Sequence, residues 1–457
     1  MGVDRSRLPA PGPDSQFRFP QIARHTLRNG LKVRTVEHPG VPVVTASMQI
    51  NGGLGADPPK REGLASITAD MVDEGTGSLS AIDVSDALAR IGAEYDVEVG
   101  ADVTMFTLTT LARFAGRGAG LLSEMLTAPS MRESDFERIR QLRLDRLRQL
   151  KDLPPAVAER AFLQLLYPSH PYGHLAIGGD ASLRELTLDE VVRFHKATFV
   201  PGRATLVMAG ALPHEALLAI AGDAFETWNG EDRAAGAPPA AAVVTPAPAS
   251  GRLAIVPREG AAQSELRIGH LSARRDTPDY APLLVMNAIL GGQFISRINL
   301  KLREEKAFTY GVRTGFDWRR GLGPFSVQTS VHTAATAESI ADTLREISAL
   351  RGDRPATAQE MALAQASLTR GYPRNFETTQ QVARSVSQLA VFDLPDTYFE
   401  EFVPKVNAVT AGEVTRVART YLDPSRAIAL VVGDRTATEQ SLDALGLGEL
   451  EVLPPTG

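Results

Sequence analysis

The 457-residue chain contains no cysteine. That absence excludes disulfide staples, thiolate zinc sites, iron–sulfur clusters and cysteine nucleophiles together. It leaves the compartment open, because a thiol-free chain tolerates reducing and oxidising surroundings equally. Basic excess is also missing. Against 48 Lys and Arg stand 54 Asp and Glu, a net charge of −6, which has the wrong sign for a nucleic-acid footprint. No apolar run approaches the roughly 18–20 residues of a membrane helix, so neither nucleic acid nor membrane is expected as a partner. The phosphate-binding run G-x-x-x-x-G-K-[ST] and the nucleophile elbow G-x-S-x-G are absent as well.

What is present is enough apolar sequence, 43%, to build large cores at this length. Met1 to Phe17 carries three prolines, two arginines, two aspartates and no apolar centre. Residues 1–19 are therefore expected as a flexible arm rather than a secretory leader. The expected location is cytoplasmic, or periplasmic if a leader has been removed.

The patterning reads as mixed strands and helices. Arg24 to His38 suits a hairpin about Asn29-Gly30, with a two-residue type I′ turn. Val43 to Ile50 and Val103 to Leu111 alternate as half-buried strands. Leu64 to Val72 reads as a helix, and so does the charged stretch Phe136 to Leu150, stopped by Leu153-Pro154-Pro155. Between Ala234 and Ser250, eight of 17 residues are Ala, four are Pro and none is charged, a semi-stiff linker by composition. It separates 20–233 from 251–457. These halves repeat: Thr187–Gly210 and Thr410–Gly433 align without a gap, with eight of 24 positions identical, including Glu190/Glu413, Pro201/Pro424 and Arg203/Arg426. Each copy reads as a helix, a Pro-x-Arg turn and a buried strand. Two copies of one α+β fold are expected.

Chemistry-bearing residues are few. His170 and His174 form the one close histidine pair, but Pro171 and Gly173 deny them the i, i+4 geometry of a helix. They remain candidates for a loop metal site. His195, whose counterpart is Ala418, reads as a surface or boundary histidine.

Gly52 to Thr76, GGLGADPPKREGLASITADMVDEGT, resembles the zinc-helix segment of the pitrilysin/insulinase family of zinc metallopeptidases, which includes the mitochondrial processing peptidase and the bc1 core proteins. In that family a helix carries H-x-x-E-H, with two zinc-holding histidines and a glutamate that activates water. Gly63-Leu64-Ala65, Met71 and Gly75-Thr76 keep the frame. Ser66 stands at the first histidine, Ala69 at the glutamate and Asp70 at the second histidine. The third ligand, a glutamate, belongs on Phe136–Leu150, at Asp145 or Arg146, with Arg146 favoured by the spacing to Pro154. The metal site is therefore expected to be degenerate, with no metal in this chain.

Leu290 to Phe316, LGGQFISRINLKLREEKAFTYGVRTGF, strongly resembles the family's S-R-L-x-x-x-L-R-E-x-x-x-x-x-Y segment. Phe294, Ile298 and Leu302 recur every four residues, so a helix ending near Lys306 and a strand from Thr309 to Phe316 are expected. The family's arginine and tyrosine, which face zinc across the chamber, map onto Arg303 and Tyr310. A guanidinium can hold a carbonyl or carboxylate through two bonds, and a phenol can donate to a developing oxyanion. The resemblance spans about residues 20–435. No long glycine-rich loop of the processing-peptidase alpha type lies between Ser250 and Ser330, which favours the bacterial heterodimer type.

The resemblance implies two homologous α+β domains of the mitochondrial processing peptidase type, closing as a clam-like chamber. It also implies a role: the non-zinc subunit of a heterodimeric metallopeptidase. Inactive alone, this subunit would bind peptide and stabilise the transition state at zinc held by a homologous H-x-x-E-H partner. The alternatives are an inert scaffold like the bc1 core proteins and an autonomous hydrolase built on His170 and His174.

Overall fold

The computed structural model describes residues 17–230 and 252–454. The first 16 residues of the expected arm and the Ala/Pro segment 234–250 lie outside the described residues. A first sheet holds β1 (Ile22–Thr26), β2 (Lys32–Glu37), β3 (Val43–Ile50), β4 (Glu94–Val99), β5 (Thr104–Leu111) and β6 (Ala204–Gly210), in the order β1-β2-β6-β3-β5-β4. A second holds β7 (Arg252–Pro257), β8 (Gln263–Leu271), β9 (Val312–Phe316), β10 (Pro324–His332), β11 (Ile428–Gly433) and β12 (Leu450–Val452), in the order β9-β10-β8-β11-β7-β12. Read from opposite ends the orders coincide. The one parallel pair of the first sheet, β2 with β6, has its counterpart in β7 with β11. The copies differ at one edge, where β1 runs antiparallel to β2 but β12 runs parallel to β7.

The helices that matter below are α1 (Leu64–Asp70), α2 (Glu133–Leu150), α3 (Pro154–Leu166), α4 (Leu188–Thr198), α5 (Tyr280–Leu290), α6 (Arg297–Asn299), α7 (Ala358–Thr369), α8 (Thr379–Val391) and α9 (Ala411–Tyr421). The sequence repeat has a local cause. In α4 and α9 the same pair closes the first turn: Glu190 accepts from the Thr187 N–H at 3.0 Å, and Glu413 from the Thr410 N–H at 2.8 Å. Each threonine hydroxyl in return accepts the glutamate's own N–H. These capping boxes explain why Thr and Glu stand three apart in both copies. The chain consists of two homologous α+β domains.

Both sheets are covered on both faces, so their central strands β6 and β11 are buried at every residue and read as continuous apolar runs. Leu253 and Ile255 of β7 face their own domain's core. Ala254 and Val256 face the other way, together with Ile428, Leu430 and Val432, and are covered by Val157, Ala161 and Phe162 of α3. That helix precedes the linker. Reciprocally, Val207 and Ala209 of the first sheet are covered by Val382, Val386 and Leu389 of α8, which follows it. Each half thus lends one helix to the other's sheet.

A polar knot ties the same junction. Asp102 accepts from the Tyr172 hydroxyl and, at 2.9 Å, from the Arg320 N–H. Arg319 is buried against the Tyr167 and Tyr172 rings and bonds Asp317 at 2.6 Å. Arg320 reaches Asn51 and the Val391 carbonyl, each at 2.8 Å.

Three local expectations are corrected. The connection after β1 is not a two-residue turn but spans Leu27 to Leu31, closed by the Leu27 N–H on the Leu31 carbonyl at 2.9 Å. Asn29 spends its side chain on the carbonyls of Phe225 and Trp228, and this tertiary demand overrides the local turn preference. The helix expected over Phe294, Ile298 and Leu302 ends near Lys306 as expected but starts only at Arg297, after a break that follows α5. Gly291 and Gly292 lie so close to Thr314 and Asn287 that a Cβ would meet them at 2.3 and 2.5 Å. The chain then resumes as α6 and a π turn over Leu300–Glu305, so Ile298 and Leu302 are buried but Phe294 is 64% exposed. The strand expected from Thr309 begins only at Val312. Among the described residues no helix is long and apolar enough to cross a membrane.

Because the exchanged helices place each core partly in the other half, the domains should unfold together. Phe162→Ala empties a site in α3 under the second sheet. It is expected to cost about 3–5 kcal/mol while calorimetry still records a single transition. Two separate transitions would contradict this coupling.

Candidate functional site

The degenerate motif lies on α1, whose start is set by Asp57 rather than by a capping side chain of its own. Asp57 accepts the N–H groups of Gly63 at 2.8 Å and Ala65 at 2.7 Å. Gly63 takes φ +96 and packs on Gly178, where a Cβ would meet backbone at 2.9 Å. Burial outweighs the two N–H bonds and pushes the Asp57 carboxyl up to about 7. Ser66 and Ala69 are buried.

Arg143 of α2 fills the space between Ser66 and Asp70. Its Nη2 donates to Ser66 Oγ at 2.6 Å and its Nε to Asp70 Oδ2 at 2.9 Å. Its Nη1 donates to the carbonyls of Ala176 and Ile177 at 3.1 and 3.3 Å. The hydroxyl and the carboxylate that could face a metal are therefore spent on a resident cation, and Ala69 offers no base. Among the described residues no group of three or more His, Asp or Glu side chains could hold a metal ion. These residues do not fit zinc.

Arg146, expected in the third-ligand role, instead hydrogen-bonds Gln149 at 3.2 Å. It lines the rim of a cavity of about 440 Å³ together with Asp70, Asp73, Tyr95 and Arg143. A signal for Arg143 exists in the sequence: it falls four residues from both Ile139 and Leu147, a charge set within the apolar stripe of its helix. In the same cavity wall burial raises Asp73 to about 6.

The second half holds Tyr310 on a separate cavity of about 630 Å³, lined also by Phe294, Arg313 and Glu265 among others, with Arg303 outside the lining. Tyr310 is 93% exposed. The backbone that follows it is held by the last residue of α6. The Asn299 side chain accepts the Val312 N–H at 2.8 Å and donates to the Val312 carbonyl at 2.9 Å, pairing with the backbone as a neighbouring strand would. Arg303 lies in the π turn with its guanidinium 3.6 Å from the centroid of the Phe294 ring, a cation–π contact. Glu304 Oε1 is 3.2 Å from its Nη1, yet that enclosed nitrogen makes no aligned hydrogen bond.

Arg297 anchors the start of this segment. It is buried, with Nε and Nη2 on the two oxygens of Glu360 in α7 at 2.6 and 2.8 Å, and further bonds to the carbonyls of Arg354 and Pro355. Burial alone would raise Glu360, but the Arg297 fork and the Thr357 N–H hold it down at about 2.

The histidines take structural places. His170 Nδ1 accepts the Tyr172 N–H at 3.1 Å. His174 Nε2 lies 3.5 Å from Asp57, and burial lowers its affinity for a proton. His195, expected at a surface or boundary, is buried. It is bonded to the Leu126 carbonyl at 2.9 Å and stacked on Phe199. Its helix faces a neighbour that no local pattern specifies.

Two outcomes follow. Arg143→Leu strands Ser66 and two carbonyls and is expected to cost about 1–3 kcal/mol. Arg146→Leu should change stability by no more than about 0.5 kcal/mol. Urea unfolding of both variants distinguishes them. Glu360 is held below its ordinary 4.5, so its contribution is complete above that pH and is lost as the pH falls toward about 2. The stability advantage of the parent chain over Glu360→Gln should therefore shrink between pH 5 and pH 3.

Comparison with known proteins agrees with this architecture. Residues 32–178 match the family described as Insulinase (Peptidase family M16), and residues 185–368 match the Peptidase M16 inactive domain. An uncharacterized zinc protease of Mycobacterium tuberculosis is 24% identical over 432 residues, covering 92% of this chain and 96% of that protein. One of Bacillus subtilis is 20% identical over 411 residues, covering 90% and 98%. A probable mitochondrial-processing peptidase subunit beta of Schizosaccharomyces pombe is 24% identical over 203 residues, 44% of each chain. Among solved structures, a peptidase M16 inactive domain from Pseudomonas fluorescens superimposes with a TM-score of 0.84 at 21% identity, covering 91% of this chain and 98% of that one. A protease from Helicobacter pylori gives 0.85 at 18% identity, covering 91% and 100%. Joined to the two matching sheets and the altered helix α1, these likenesses show that the chain belongs to the pitrilysin/insulinase (M16) family of peptidases.

Proposed function

We propose that this chain is the non-zinc subunit of a two-chain M16 peptidase. It binds peptide and stabilises the transition state at zinc held by a homologous partner carrying H-x-x-E-H. The observation that supports this reading is the closure of Arg143 on Ser66 and Asp70. The first half has replaced a metal with a cation of its own, while Tyr310 in the second half stays exposed on a cavity wall.

In this reading zinc, held by the H-x-x-E-H residues of the partner, would supply carbonyl polarisation and a water of lowered pKa. The residues of this chain supply the rest. The Tyr310 hydroxyl donates to the oxyanion as charge develops on the carbonyl oxygen. Arg303, stacked on the Phe294 ring, holds a neighbouring carbonyl or carboxylate of the peptide. Asn299 fixes the strand start at Val312, two residues after Tyr310. Alone, the chain has no water-activating group at α1 and does not hydrolyse peptide.

The test mixes this chain with its zinc-bearing partner and follows peptide cleavage. Tyr310→Phe is expected to lower turnover by about 10²–10³-fold, the usual loss for one oxyanion donor, with the complex still assembling by sedimentation. Full turnover in that variant, with a stable complex, would instead identify an inert scaffold. Stoichiometric zinc and cleavage from the isolated chain would identify an autonomous hydrolase.

A further inference from the structure

The cavity beside Tyr310 is unbalanced in charge. Its one lining carboxylate is Glu265. That side chain is buried and already engaged, accepting from Arg267 Nη1 and from the Ser330 hydroxyl. Its one lining cation is Arg313. Arg313 lies on β9, at the edge of the second sheet, and its side chain is exposed. Among the described residues no carboxylate pairs with it. The cavity therefore offers one unneutralised guanidinium.

An apolar ledge adjoins that charge. Phe294, 64% exposed, and Tyr310, 93% exposed, line the cavity together with Arg313. Such side chains in one segment are unusual on a surface that serves nothing. Phe294 falls in the break between α5 and α6, where Gly291 and Gly292 pack onto Thr314 and Asn287. Arg303 covers one side of the Phe294 ring, which adds a second positive centre at the cavity's margin.

We propose that this cavity selects peptides carrying a carboxylate, held by Arg313, next to an apolar residue laid on Phe294 and Tyr310. The proposal rests on the reading that the second half binds peptide, and it names the substrate class. The carboxylate can be an acidic side chain or a free C-terminus. Both present the planar pair of oxygens that a guanidinium fork accepts. A competing role for Arg313 is to deter edge-to-edge pairing of β9, since charged edge residues do so in many sheets. That role is served by either sign of charge, and this separates the two.

The experiment measures fluorescence anisotropy of labelled short peptides on the isolated full chain. One pair of peptides carries Glu or Gln beside Phe, with an amidated C-terminus. A second pair carries Gln and ends in a free acid or an amide. The carboxylate member of at least one pair is expected to bind about fivefold more tightly at low salt, the size of one partly solvated ion pair. The pair that discriminates identifies the source of the carboxylate. In Arg313→Glu the preference should disappear or reverse while the Gln amide binds as before, and raised salt should weaken it in the parent chain.

An unchanged preference in Arg313→Glu, equal binding within both pairs, or no binding of any peptide overturns the proposal. Failure here is distinct from failure of the parent reading. Arg313 can prove indifferent while Tyr310→Phe still abolishes turnover with the partner.

Discussion

The buried contact between Asp102, Tyr172, Arg319 and Arg320 fixes how the two halves of this chain meet. Arg319 comes from the second half, and the rings that enclose it come from the first. A guanidinium removed from water is costly unless every face of it is answered. Here Asp317 takes the charge, the Tyr172 carbonyl takes a further N–H at 3.3 Å, and two ring faces supply the rest. The arrangement is satisfied in one relative position of the halves. Helices α3 and α8 then extend the same junction over both sheets, with apolar area that no rigid sliding would preserve. Directional polar contacts set the geometry, and the exchanged helices supply most of the burial.

The same logic of closed and open donor sets separates the two candidate sites. At α1 the donors of Arg143 meet a hydroxyl, a carboxylate and two carbonyls. Such a cluster is rigid and has little to offer a ligand. Around Tyr310 the balance is reversed. A phenol projects into solvent, and among the described residues no carboxylate pairs with the exposed Arg313. Groups left exposed in this way are met by water and remain available to a ligand.

Much of this architecture is legible in the amino-acid sequence. Period-two alternation places β3, and the gapless repeat anticipates matched capping boxes and matched sheets. The altered identities at Ser66, Ala69 and Asp70 stand out against the preserved glycine frame around them. What escapes is tertiary. The helix break after Leu290 depends on Gly291 approaching Thr314, two positions 23 residues apart whose contact no local pattern encodes. The periodicity of Phe294, Ile298 and Leu302 holds for the last two and misleads for the first. The choice of Arg146 over Asp145 follows spacing from a proline stop, whereas burial on the helix face selects Arg143, the guanidinium that reaches α1. The exchange of α3 and α8 is invisible because an amphipathic helix does not state whose sheet it covers.

A duplicated fold gives this outcome a physical rationale. When two copies of one domain are joined through shared helices, each core is stabilised partly by the other copy. A change at α1 that removes metal-binding side chains then need not unfold the first half, provided the vacated charge is replaced. Asp70 without a cation would leave its charge close to Asp73, whose carboxyl burial has already raised to about 6, and like charges repel. Arg143 resolves that repulsion in place. Its guanidinium ties α2 to α1 through Ser66 and Asp70, while Tyr310 and Arg313 of the second half stay exposed to solvent.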